Sequence, residues 1–162
     1  MIKELIFKDC FNFLNRIRKM KNSADVVGLQ SVFKDWSESL NNGNLENFFS
    51  YFDEDSETLD EDYPWRMNKA EFIDHINFHA MGGGSGVWEF FEWLPREVNI
   101  KVWGTTGHVS GFSTFRGKPK DSGFRQRFMG FTITFFHDGE AWKLASWHQS
   151  VLSGRIDGAS PG

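Results

Sequence analysis

The chain has 162 residues, of which 40% are hydrophobic and 25% charged. That is enough for one folded core and excludes a disordered chain. A net charge of −4 argues against a general nucleic-acid binder, because neutralising phosphates needs a surplus of Lys and Arg. The single cysteine, Cys10, excludes an internal disulfide and a multi-cysteine metal site. The outlier is the aromatic share of 17%, with 18 Phe and 7 Trp against 2 Tyr.

Residues 1–22 are basic, and the remainder is acidic. Ile2, Leu5, Ile6, Cys10, Phe13, Leu14 and Ile17 fall at near-helical spacing, which predicts an amphipathic helical extension. Its expected place is against its own domain or a partner subunit, with Cys10 as a small buried apolar residue. A basic amphipathic helix can also lie on a membrane surface, and Met20 is an alternative start. Lys8, Asp9 and Arg16 interrupt what would be the apolar region of a secretory signal. No apolar run approaches the roughly 20 residues of a membrane span. A cytoplasmic location is therefore expected.

Ser23 is placed to cap a helix running to about Asn42, with Val26, Leu29, Phe33, Trp36 and Leu40 as its buried stripe. Asn42-Gly43-Asn44 ends it, and a short helix from Leu45 to Phe52 follows. The stretch Asp53 to Asp62 holds seven carboxylates in ten residues. It lacks the sixth-position Gly and twelfth-position Glu of a calcium loop. It reads as a solvated loop with a short strand near Ser56–Leu59. Asn68 and Glu71 form a capping box for a third helix ending near Ala80. The glycine run 82–86 has no Lys-Ser/Thr ending and precedes a strand, so it reads as a lid or close-approach loop and not as a phosphate cradle.

Five aromatic and β-branched runs follow: Val87–Leu94, Val98–Trp103, Thr105–Arg116, Phe124–Phe136 and Ala141–Leu152. Pro95, Gly104, Gly117-Lys118-Pro119 and Asp138-Gly139 separate them, the last being the strongest hairpin signal. Helices followed by long antiparallel strands predict an α+β fold with the helices on one face of a curved sheet. Residues 153–162 are expected to be a flexible tail.

The ending Phe131-Thr132-Ile133-Thr134 through Asp138-Gly139, Trp142-Lys143-Leu144 and His148-Gln149-Ser150 resembles the nuclear transport factor 2-like superfamily. So do the Asp35-Trp36 helix and the Gly43-Asn44-Leu45 turn. Ketosteroid isomerases, scytalone dehydratase and SnoaL-type polyketide cyclases belong to that superfamily. The resemblance covers residues 23–152. It implies a cystatin-like cone, a strongly bent sheet wrapped around helices with an apolar pocket at its open end. It also implies a homodimer, and strands apolar on both faces at Trp88–Trp93 and Phe128–Phe136 fit dimerisation across the sheet.

In similar proteins the Trp142, Leu144, Ser146, His148, Ser150 face looks inward. His148 then becomes a candidate general base or hydrogen-bond anchor, with a histidine satisfied in the core as the other reading. His79 lies at the apolar edge of the third helix beside the glycine loop. His75, one turn earlier, is expected farther round toward solvent. The two histidines have the i, i+4 spacing of metal ligands, but no third ligand is visible, and no metal or cofactor is predicted. Asp60 or Asp62 can supply a carboxylate, with Tyr63 adjacent. Trp36, Phe72 and Trp88 are expected to line the pocket, together with His108, Gln126, Thr132 and Ser150. Arg125 and Arg127 share a strand face with Met129, so at least one is expected to pair with a carboxylate.

The isomerase pattern of the superfamily does not carry over. The first long helix has no Tyr, Asp35 points away from its stripe, and no second inward carboxylate follows. Two readings stand. One is an isomerase, dehydratase or cyclase acting on an apolar cyclic or aromatic molecule by acid–base chemistry of His148 or His79 with Asp62. The other is a non-catalytic ligand-binding or dimerisation module.

Overall fold

The computed structural model describes residues 25–79 and 88–152, with side chains to Ile76 in the first segment. The expected N-terminal extension, the Ser23 cap, the glycine run and the tail lie outside these residues. Helix α1 occupies 25–41. Leu29, Phe33, Trp36 and Leu40 are buried at its inner stripe, as their three- and four-residue spacing requires. Gly43, at φ 70°, turns the chain out of the helix. Helix α2, Leu45–Ser50, is capped by the Asn44 side chain, which accepts from the Asn47 N–H. Asp35 stays on the outer side of α1, where it accepts hydrogen bonds from the Tyr51 hydroxyl and the Asn47 amide. These bonds fasten α1 to the end of α2. They hold the Asp35 carboxyl below its ordinary range, while burial, helped by the Asp35 carboxylate, pushes the Tyr51 phenol up to about 12.

The short strand expected near Ser56–Leu59 is present but begins earlier, and of the acidic stretch only residues 60–62 lie outside it. Residues Phe52–Leu59 form strand β1, in which Phe52, Ser56 and Thr58 are buried while Glu54 and Asp55 remain exposed. Small hydroxyls take the buried positions at Ser56 and Thr58, while the carboxylates from Asp53 to Glu57 stay partly or fully exposed, so the acidic composition hides a strand. Strand β2, Met67–Asn68, pairs back on β1 and leads into α3, Lys69–His79. The capping box is present in both directions, with the Glu71 N–H donating to Asn68 Oδ1 and the Asn68 N–H donating to Glu71 Oε2, each at 2.9 Å.

Four long strands follow: β3, Trp88–Trp103; β4, Thr106–Pro119; β5, Arg125–His137; and β6, Trp142–Val151. The sheet order is β2-β1-β6-β5-β4-β3. All pairs are antiparallel except β1 with β6. The Asp138-Gly139 turn closes the β5–β6 hairpin, with Asp138 Oδ1 accepting from the Glu140 and Ala141 N–H groups. The expected break at Pro95 is absent. β3 lies at the edge of the sheet, where a proline is tolerated, and the irregularity moves to a bulge between Arg96 and Asn99. Glu97 sits there at φ 50°. The bulge rests on Gly111, where an added Cβ would lie 2.9 Å from the Arg96 carbonyl oxygen. Only glycine permits that approach.

The inner face of the sheet carries Trp93, Val109, Met129, Phe131, Ile133, Phe135, Leu144 and Trp147, all 5% exposed or less. They meet the apolar stripes of α1, α2 and α3 in one core.

Candidate functional site

A second bulge decides what faces the cone. In the β5–β6 ladder Thr134 pairs with Ser146 and Phe135 with Leu144, so Ala145 is the extra residue. Trp142 and Leu144 point inward before it, and Trp147 and Gln149 point inward after it. One inserted residue reverses the alternation. His148 is therefore exposed on the outer face, opposite the placement expected from the sequence. Its ladder neighbour Thr132 is outward with it, and His108 and Gln126 also lie on that face, across from Thr134 and Arg116. His148, Ser150 and Thr132 line a shallow outer groove of about 410 Å³. These residues do not enter the cone.

The inner cavity has a volume of about 60 Å³, room for roughly four to six water-sized spheres. Trp88, Phe91, Trp93, Phe115 and Trp147 form its aromatic walls, filled in by Leu40, Ile76 and Met129. Its polar groups are Asp60, Glu61, Asp62, His75 and Gln149. Of the expected site residues, Trp88, Asp60 and Asp62 line this cavity. Trp36 and Phe72 do not. Each is 0% exposed and lies in the core behind the wall. Tyr63 packs against His75, with ring centroids 5.0 Å apart. His79 closes α3, and its side chain lies outside the described residues.

The polar groups form a connected set. The Asn41 side chain, at the end of α1, donates to the Trp93 carbonyl at 2.8 Å and accepts its N–H at 2.7 Å. That fixes Trp93, whose indole N–H donates to Gln149 Oε1 at 3.2 Å. The Gln149 amide nitrogen then donates to Asp60 Oδ2 at 3.3 Å. His75 Nε2 is 3.9 Å from the same oxygen, with the His75 and Asp60 side chains 7% and 9% exposed. Residues from α1, β3, β6, the β1–β2 turn and α3 thus converge on one imidazole–carboxylate pair. At the rim Arg127 Nη1 meets Glu61 and Asp62, each at 2.7 Å, the carboxylate pairing expected for one of the two β5 arginines. Burial pushes the Glu61 carboxyl above its ordinary range, outweighing the pull of the guanidinium.

His75 is the cavity residue that sequence reasoning misplaced. The signal was present: Phe72, His75 and Ile76 stand at i, i+3 and i+4, which is one helix face. Gln149 was missed because the Ala145 bulge leaves no sign in the alternation.

Gln149→Leu should cost about 2–4 kcal/mol of stability, because it leaves the buried Trp93 indole N–H without a partner and removes a hydrogen bond from Asp60 Oδ2. Urea unfolding checks it. A loss below about 1 kcal/mol would mean that the set is not held through Gln149.

The fold is shared with structures of low sequence identity. A candidate dehydratase of the NTF2-like family from Streptomyces avermitilis aligns at a TM-score of 0.68 and 15% identity, covering 80% of this chain and 98% of its own. An NTF2-like protein with a cystatin-like fold from Novosphingobium aromaticivorans gives 0.65 and 15%, covering 90% and 92%. A hexachlorocyclohexane dehydrochlorinase from Novosphingobium barchaimii gives 0.67 and 12%, covering 84% and 95%. Comparison with curated protein sequences finds no match. The family model for the SnoaL-like domain matches residues 29–154. With that match over most of the chain, and with helices seated in a curled α+β sheet, the protein belongs to the SnoaL-like family of the nuclear transport factor 2-like superfamily.

Proposed function

We propose that the cone is a small-molecule site in which His75, held by Asp60, moves a proton on an apolar cyclic or aromatic ligand. The observation that carries this reading is the buried imidazole–carboxylate pair in the wall of the cavity, with the carboxylate anchored through Gln149 and Trp93. Two ionisable groups converging in a cavity are what proton transfer needs. A separation of 3.9 Å is compatible with a contact that tightens when a ligand enters.

In an elimination His75 takes hydrogen from a ligand carbon, and the C–H electron pair becomes the new double bond. The leaving group departs from the adjacent carbon with its own pair, and Asp60 stabilises the imidazolium. In an isomerisation the same proton returns to a different carbon. The names of two fold neighbours, a candidate dehydratase and a dehydrochlorinase, belong to eliminations and make this class the first to test. The test is a panel of six-membered-ring ketones, alcohols and halides in D₂O, followed by NMR for exchange at carbon and for product. Wild type and His148→Ala should act on the same member of the panel, and His75→Gln should not. Activity that survives His75→Gln, or that disappears with His148→Ala, would overturn the assignment.

The same chain is proposed to pair with a second copy through the outer sheet face. Phe112 and Phe128 are 40% and 49% exposed there, and Arg96 covers the Phe128 ring with its guanidinium carbon 5.6 Å from the centroid. Light scattering should give twice the chain mass, and Phe128→Asp should give the single mass. A monomer in the wild type would end this reading.

A further inference from the structure

Asp60 owes its direction to the turn that carries it. Its Oδ2 accepts from the Gln149 amide, and its Oδ1 accepts from the Asp62 backbone N–H at 3.2 Å. The carboxylate is therefore aimed by the backbone of residues 60–62 as well as by β6. Those residues are three carboxylates in a row, and the Asp60 and Glu61 side chains are each 9% exposed. Like charges so close and so poorly hydrated repel one another, and unopposed they would splay the turn.

Two strands hold the turn by side-chain hydrogen bonds, β6 through Gln149 and β5 through Arg127. The Arg127 contacts join groups 66 and 65 residues apart in the chain, and one nitrogen, Nη1, makes both at 2.7 Å. The Arg127 side chain is 35% exposed and its Glu61 partner 9%, so water screens this pair less than it screens a surface ion pair. The guanidinium offsets one negative charge and draws two side chains toward β5. Glu61 and Asp62 are thereby committed to the rim, and Asp60 is left to face His75 Nε2 at 3.9 Å. Arg127 itself does not line the cavity, so its effect on the imidazole passes through the turn.

We propose that Arg127 is a positioning residue of the cone: by holding Glu61 and Asp62 on β5 it sets the Asp60 carboxylate against His75. The inference rests on His75 and Asp60 acting as a pair, and it names the residue that keeps them together. The charged groups that share the cavity with His75 are Asp60, Glu61 and Asp62, and Tyr63 packs on its ring. A carboxylate held against an imidazole favours the imidazolium and raises the pH at which the proton leaves. Arg127 acts on that midpoint in two ways of opposite sign. As a bare positive charge it disfavours the imidazolium, so removing it raises the midpoint. As the holder of Asp60 it secures the favourable carboxylate, so removing it lowers the midpoint.

An NMR titration of the full chain reads this sign without any ligand, the five imidazole signals being assigned by single His→Gln variants. Asp60→Asn should lower the His75 midpoint by about one pH unit. Arg127→Gln should move it in the same direction by about half a unit. Arg127→Lys keeps the charge without the guanidinium's reach to both carboxylates. It should also lower the midpoint, and it decides the matter if the glutamine variant fails to fold. An unmoved or raised midpoint in the arginine variants, beside a lowered one in Asp60→Asn, would overturn the role of Arg127 and leave the His75–Asp60 pair standing. An unmoved midpoint in Asp60→Asn would overturn the pair and this inference together.

Discussion

His75→Gln is expected to lower turnover about 10²–10⁴-fold, the usual worth of a positioned general base, with little change in KM. The split between kcat and KM matters because glutamine keeps polar capacity in the same wall but cannot take a proton. A structural histidine would give the opposite pattern, a loss of stability with weakened binding and no selective loss of rate. Asp60→Asn should also lower kcat, because the amide keeps a hydrogen-bonding group toward Gln149 while removing the charge that steadies the imidazolium. His75 and Asp60 act as one unit, so the double variant should lose scarcely more than His75→Gln alone. Multiplying losses in the double variant would mean that the two side chains act separately, and the pair would no longer describe the site.

The elements that local chemistry determines were legible in the sequence. The α1 stripe, the Asn68–Glu71 capping box and the Asp138-Gly139 hairpin each depend on residues within one turn or one hairpin, and each is present as expected. The α+β class followed from helices preceding strands. What local chemistry does not determine went astray. A bulge is one residue of register, and the Ala145 bulge alone carries His148 to solvent and Gln149 into the cone. Strand β5 held a usable warning, because Met129, Phe131, Ile133 and Phe135 alternate with Gly130, Thr132 and Thr134. The larger apolar set belongs inside by burial alone, and it is inside. Reading β5 first would have placed Thr132, and with it His148, on the outer face. Asp60 was legible only as one of two candidate carboxylates, with Asp62 two residues on. Its role depends on Gln149 and Trp93, 89 and 33 residues further along the chain, and no spacing in the sequence joins them.

Trp36→Ala should be among the most destabilising single substitutions, at about 3–5 kcal/mol. The indole is 0% exposed. It contacts Phe33, Phe48, Trp93 and Trp147, with ring centroids 5.0–5.7 Å apart. Those neighbours are themselves locked: Trp93 is tied to Asn41 through its backbone and to Gln149 through its indole, and Trp147 sits in a paired strand. A wall that cannot collapse leaves the removed volume as a void, which is the condition for the upper part of the cost range. Because Trp93 and Trp147 line the cavity on their other side, the same substitution should also loosen the site. Urea unfolding measures the first effect, and the Trp147 indole signal, broadened or shifted, measures the second. A cost below about 1 kcal/mol would show the neighbours closing over the gap. The aromatic shell would then be a yielding lining, and the cavity would lose its fixed walls.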